Sequence, residues 1–125
     1  NIFVAQFIGT PKMNILEIEE KNIISENTIK LLGNDIKFDK FKLKKTKHFV
    51  GIRPEHLKPN KSSQFTFNPE IELIENLGNE KITYMKKDEY QLSAKIPSNI
   101  EIGNLMGFDM NDIFVFDVNG KRVNS

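Results

Sequence analysis

A chain of 125 residues buries roughly two-thirds of its unfolded surface, enough for a core without staples. It has no cysteine, which excludes disulfide frameworks, thiolate metal sites and cysteine nucleophiles. Eighteen basic against seventeen acidic side chains leave a formal charge of +1, so no global field steers nucleic acid or anionic lipid; nor does any apolar run approach the roughly 20 residues that cross a bilayer.

The first expected element is a short helix over residues 1–9. Asn1 suits an N-cap, Gly9 stands where a left-handed helix exit needs it, and Pro11 prevents resumption. Between them only Gln6 is strongly polar, so this helix is apolar nearly all round and needs partners on more than one side. Residues 13–18 read as a strand with Met13, Ile15 and Leu16 turned inward. Residues 22–25 and 28–32 are β-branched and apolar, and Gly33, Asn34 and Asp35 supply turn chemistry before a strand at 36–38, which makes a meander. From Phe49 a strand runs through Val50 and Ile52 to Pro54, which opens a single helical turn over 54–57. Pro59 ends that turn, and residues 60–64 form a polar linker with no core contribution of their own.

The second half opens with the most regular pattern. Phe65, Phe67, Pro69, Ile71 and Leu73 alternate with Thr66, Asn68, Glu70 and Glu72, which predicts one strand with an apolar face and a carboxylate face until Ile74 breaks the period. A turn at Leu77, Gly78 and Asn79 leads to strands at 81–85 and 90–96, separated by the turn of Lys87, Asp88 and Glu89. Two more strands, 103–108 and 113–116, are bridged by a short helical turn at 109–112, and Asn119-Gly120 makes the last tight turn. Short strands punctuated every eight residues or so by turn signals predict an all-β fold. A small closed or partly open barrel is favoured, because there are no long helices to cover exposed edges.

Few residues carry the pattern of a chemical site. His48 and His56 have no third ligand at a diagnostic spacing, so no metal is expected. Glu70 and Glu72 read as a solvated strand face, and Ser62, Ser63 and Ser93 lack an activating partner. The basic run 37–48 interleaves lysines with Phe38 and Phe41. Read as a groove, it suits single-stranded nucleic acid; read as a strand pair, it turns Phe38, Phe41 and Leu43 inward while its lysines protect an edge. The second reading is preferred because net charge is nearly zero and tryptophan is absent, so no nucleic acid is expected as a partner.

Four stretches taken together resemble the C-terminal regulatory domain of ATP-binding-cassette (ABC) importer ATPases, the transport-associated oligonucleotide/oligosaccharide-binding (OB) module. The carbohydrate-importer branch, which includes the maltose/maltodextrin importers, is the most similar. The first stretch is Phe3-Val-Ala5, Phe7-Ile-Gly9, Pro11 and Met13-Asn14; the second is Gly51-Ile-Arg-Pro-Glu-His-Leu57; the third is Glu75-Asn-Leu-Gly-Asn-Glu80; the fourth is Val115-Phe-Asp117 with Gly120 and Arg122. The resemblance implies an OB-like barrel, or two, with a short N-terminal helix and one or two single-turn helices. It divides the chain into a helical seam to a nucleotide-binding domain over 1–14 and a regulatory domain over 15–125. The phosphate loop, Gly-x-x-x-x-Gly-Lys-Ser/Thr, does not occur, so neither catalysis nor a cofactor is expected in this chain; ATP and Mg belong to the nucleotide-binding domain.

The same resemblance implies a dimer of ATPase subunits at the cytoplasmic face of the membrane, docked on membrane-spanning importer subunits and open to a regulatory protein. The residues expected at interdomain or dimer contacts are Phe3, Phe7, Ile8, Arg53, Glu55, Leu77, Asn79 and Glu80. The local reading of Arg53-Pro-Glu55 is compatible with this. Pro54 fixes a corner, Glu55 sits in a first helical turn that favours a carboxylate, and Arg53 pairs nearby. Direct sensing of a small ligand, as in polyamine, oxyanion or metal-ion importers, is the other reading of such a module.

Overall fold

Among the described residues eleven short strands and three single-turn 3-10 helices follow one another along the chain. The computed structural model describes residues 11–60 and 62–124; the helix expected over 1–9, with Phe3, Phe7 and Ile8, lies outside them. In the first sheet β1 (Asn14–Ile18) and β11 (Ile113–Phe116) flank β5 (His48–Ile52), both antiparallel to it. After a single-turn helix η1 (Glu20–Asn22), strands β2 (Ile23–Ser25), β3 (Thr28–Leu31) and β4 (Asn34–Lys37) form the expected meander. Helix η2 (Pro54–His56) follows β5. Strand β6 (Phe65–Phe67) pairs with the distant β10 (Met106–Phe108), while β7 (Glu70–Asn76), β8 (Glu80–Lys87) and β9 (Tyr90–Pro97) make a second meander. Helix η3 (Met110–Asp112) leads into β11. The fold is all-β. Its four small sheets do not close into one barrel among the described residues, which is consistent with an OB-like, partly open arrangement.

A single buried cluster draws on every sheet, through Leu16, Ile29, Val50, Phe67, Met85, Ile96, Phe108 and Val115 among others. Burial of each such side chain contributes about 1.5–3 kcal/mol, and this cluster holds the sheets together where hydrogen bonds do not. Among the described residues three polar side chains are buried, Asn14, His48 and Thr83, and the first of them links two sheets. Asn14 is buried; its amide donates to the carbonyls of Ile52 (3.0 Å) and Ser93 (2.9 Å), and its Oδ1 accepts from the Ser93 amide (2.8 Å). It therefore staples the first sheet to β9 of the last.

Several local expectations change. In β1 the inward residues are Asn14, Leu16 and Ile18, with Ile15 on the opposite face. That face is apolar as well, because Met13 and Phe116 pack around Gly51, so hydrophobicity alone does not fix the strand's phase. The β3–β4 turn is Leu32-Gly33, one residue early, with φ of 50° and 81°, and Asn34 already pairs with Leu31. This is the twist that a two-residue hairpin needs.

The alternating run 65–73 is two strands. Asn68-Pro69 divides it, β6 joins β10, and β7 joins β8 with an irregularity between Ile71 and Leu73. That shift leaves Leu73 (59% exposed) and Ile74 (46%) both facing solvent. The linker 60–64 is tied down, since the Gln64 amide donates to Asp109 Oδ1 (2.9 Å) and Gln64 Oε1 accepts from the Met110 amide (2.8 Å). Nor is the basic run a strand pair. Regular structure ends at Lys37, yet Phe38 and Leu43 are buried as expected and Phe41 stacks on Phe38 at 4.8 Å.

Candidate functional site

The corner at residues 51–57 is built by close packing and a proline. Gly51 lies mid-sheet, where a Cβ would stand 2.5 Å from Met13 Sδ and 3.2 Å from the Phe116 ring. Arg53 is extended (φ −67°, ψ 143°), as a residue before proline should be, and Pro54 then opens η2. The His56 amide donates to the Arg53 carbonyl at 2.9 Å, and Pro54 and Leu57 are buried. His56 Nδ1 lies 3.7 Å from Asp112 Oδ1 at the end of η3. A capping box orders η3 itself: Asp109 caps the Asp112 amide while Asp112 Oδ2 accepts from the Asp109 amide at 2.8 Å.

Among the described residues Arg53 does not pair with a carboxylate. Its guanidinium lies 5.4 Å from the centre of the Phe114 ring, and Arg122 approaches the same ring at 4.5 Å. Glu55 is exposed and turns towards a different neighbour, the end of β9.

The second corner is the β7–β8 turn. Leu77 donates its amide to the Glu80 carbonyl (2.8 Å), Gly78 takes φ of 93°, and its amide donates to Asn76 Oδ1 at 3.0 Å. The turn is pinned to the loop after β9: the Ser98 amide donates to the Asn79 carbonyl (2.9 Å), the Ser98 hydroxyl to the Gly78 carbonyl, and Lys81 Nζ to the Ile100 carbonyl (2.8 Å). Glu80 pairs with Lys95 at 3.6 Å, and Leu77 is 59% exposed.

These contacts bring the two corners to the same end of β9. Beside the first corner runs a groove of about 490 Å³, walled by Glu55, Leu57 and Pro59 on one side and Lys95, Ile96, Pro97 and Ile100 on the other. Thus Glu55 lines the groove, Asn79 and Glu80 are linked to its far wall through Ser98 and Lys95, and Arg53 lies against Phe114 of β11. Sequence reasoning did not single out Phe114, Pro97 or Ile100 (42% exposed). The fourth motif, ending at Arg122, held the one available signal for the Phe114 stack.

Elsewhere the polar groups are structural. His48 is buried, and its Nδ1 donates to the Thr46 carbonyl at 2.8 Å. Lys47 Nζ meets Glu17 Oε1 at 2.8 Å, and that hydrogen bond raises the lysine's pKa. Burial pushes the Tyr90 phenol up to about 12, with the charges of Glu89 and Asp88 adding to it; its hydroxyl donates to the Glu17 carbonyl at 2.7 Å. No phosphate loop occurs in the sequence, and among the described residues every helix is three residues long.

The fold is all-β, and the chain's relatives are named as ATP-binding proteins of transporters. No family model matches the chain. It is 33% identical over 134 residues to the sn-glycerol-3-phosphate import ATP-binding protein of Psychromonas ingrahamii, covering 98% of this chain and 35% of that protein. It is 34% identical over 90 residues to the maltose/maltodextrin import ATP-binding protein of Vibrio vulnificus, covering 68% and 24%. A putative ABC transporter ATP-binding protein of Mycoplasma genitalium is 33% identical over 128 residues, covering 98% and 21%. By homology the chain belongs with the ATP-binding subunits of ABC importers, the sugar importers among them. It spans between about a fifth and a third of the length of these relatives, a share consistent with a C-terminal domain. Among the described residues no helix is long and apolar enough to cross a membrane.

Proposed function

We propose that this chain is the regulatory and dimerisation module of the ATP-binding subunit of an ABC importer for sugars, and that it carries no catalysis of its own. ATP and Mg bind in the nucleotide-binding domain of the same subunit. The module tethers two such subunits while their nucleotide-binding domains open and close on the membrane-spanning partners, at the cytoplasmic face of the membrane. It also offers a surface to regulatory proteins.

The observation that carries this reading is the meeting of two motif runs at the end of β9. Residues 51–57 and 75–80 both carry the family resemblance; Glu55 and Leu57 line the groove there, and the 75–80 turn is tied to its far wall through the Ser98–Asn79 hydrogen bond and the Glu80–Lys95 ion pair, with Leu77 and Ile100 exposed. Among the described residues no cluster of metal-ligating side chains lies there, and an apolar groove with a polar rim is what a protein contact uses. The test is made in the intact subunit. Leu77→Asp combined with Ile100→Asp should weaken its self-association by about tenfold or more, in line with loss of two apolar anchors, while leaving ATP affinity unchanged. A subunit lacking the whole module that still dimerises, transports and responds to regulation normally would refute the proposal.

A further inference from the structure

Two arginines far apart in sequence are held on one aromatic ring. Phe114 stands on the outward face of β11, opposite Gly51 in register, with the guanidinium carbons of Arg53 and Arg122 at 5.4 and 4.5 Å from its centre. Arg122 is oriented from behind. Its Nε donates to Asn124 Oδ1 (3.4 Å), and Asn124 is fixed to β11, accepting from the Val115 amide (2.6 Å) and donating to the Ile113 carbonyl (2.7 Å).

Among the described residues neither guanidinium has an ion-pair partner. Past Arg122 the positive charge continues around a cleft of about 300 Å³ bordered by Lys37 and Lys40, where Asp39 is the one acid in the wall. Three cations, Lys37, Lys40 and Arg122, thus share that wall with one carboxylate in a chain whose formal charge is only +1. Holding like charges together opposes folding. Contact with the ring offsets part of that cost, and a planar guanidinium fork matches a carboxylate in two-point geometry.

We propose that Arg53, Phe114 and Arg122, extended by Lys37 and Lys40, form a docking strip for an acidic segment of a partner protein, whose carboxylates the two guanidinia read. Arg53 lies outside the cleft that Lys37, Lys40 and Arg122 border, so the charges extend along the surface instead of converging on one small anion. Single-stranded nucleic acid is disfavoured because bases need open aromatic faces. Phe38 is buried against Phe41, and guanidinia already occupy Phe114. The assignment does not rest on the importer reading, since it concerns a face away from the groove and is testable on this chain alone.

The experiment titrates the 125-residue chain with a synthetic peptide of alternating glutamate and alanine, followed by calorimetry, with oligothymidylate and inorganic phosphate as rival ligands. The peptide should bind and weaken as salt rises. The double substitution Arg53→Lys, Arg122→Lys keeps the charge and removes the forks, and should cost about fivefold or more in affinity. Arg122→Lys alone should give part of that loss, and Lys86→Gln on β8 none, with circular dichroism confirming each fold. An undetectable peptide at low salt, full affinity in the double lysine variant, tighter binding of oligothymidylate, or displacement of the peptide by phosphate would each overturn the proposal.

Discussion

Replacing Asn14 by alanine tests whether one side chain couples the two halves of this fold. The substitution removes three hydrogen bonds, to the Ile52 carbonyl and to both backbone groups of Ser93, at distances of 3.0, 2.9 and 2.8 Å. At about 1 kcal/mol each, the loss is about 3 kcal/mol, rising where a stranded backbone group stays dry. That is a large fraction of the roughly 5–15 kcal/mol of a typical domain, and corresponds to a fall in Tm of roughly 10 °C. Urea unfolding should be followed by two signals. Tyr84 and Tyr90 lie on β8 and β9, so tyrosine fluorescence reports the last sheet, whereas circular dichroism reports all four. In the native chain the two signals should coincide, and in the Asn14→Ala variant they should separate as coupling is lost.

Asn14→Asp adds a check of sign. The new carboxyl faces two carbonyl oxygens where the amide donated, so its charged form is disfavoured in the folded state and its pKa rises there. The folded state then holds the proton over a range in which the unfolded chain has lost it, and stability falls as pH increases through that range. A loss of less than about 1 kcal/mol in Asn14→Ala, with coincident transitions, would refute the staple.

Thr83 is fully buried and its Oγ1 has no hydrogen-bond partner, so Thr83→Val should stabilise the chain by about 1 kcal/mol in urea unfolding. At Gly107 a Cβ would lie 2.5 Å from Ser63 Cβ and 2.9 Å from the Asn60 carbonyl, so Gly107→Ala should cost about 1–3 kcal/mol by strain at the Lys58 bridge, read as a lower urea midpoint. In a titration of tyrosinate absorbance, Tyr90→Phe should delete a late step near pH 12. Because the folded phenol keeps its proton above the ordinary value of 10.0, Tyr90 contributes stability that is lost as pH rises from about 10 towards 12, and the phenylalanine variant should lack that component.

Much of the fold is legible where local chemistry and tertiary partner agree. The β8–β9 hairpin has a period of two and a turn at Asp88-Glu89, where Asp88 takes φ of 55°, and its strands form next to each other in sequence. The run 65–73 has the same period, but its halves find different partners, and the register shift near Glu72 reverses the phase of Leu73. No local pattern records that choice. The corner at Arg53 was readable from Pro54, whereas its ring partner comes from the far end of the chain and carries no turn or periodic signal of its own. Asn14 illustrates the converse, since a polar residue inside an apolar strand is a hint that burial and hydrogen bonding coincide there.

Strand β7 packs only the partly buried Ile71 against the core and touches its sheet through β8 alone. Its hairpin therefore has one anchored arm and one held chiefly by backbone hydrogen bonds. Amide exchange should separate the arms: protons in β7 should exchange through small local openings, while those of β8 that face β9 should await global unfolding. A partner seated against β7 would then be recorded first as slowed exchange in that arm, ahead of any change in the melting temperature of the whole.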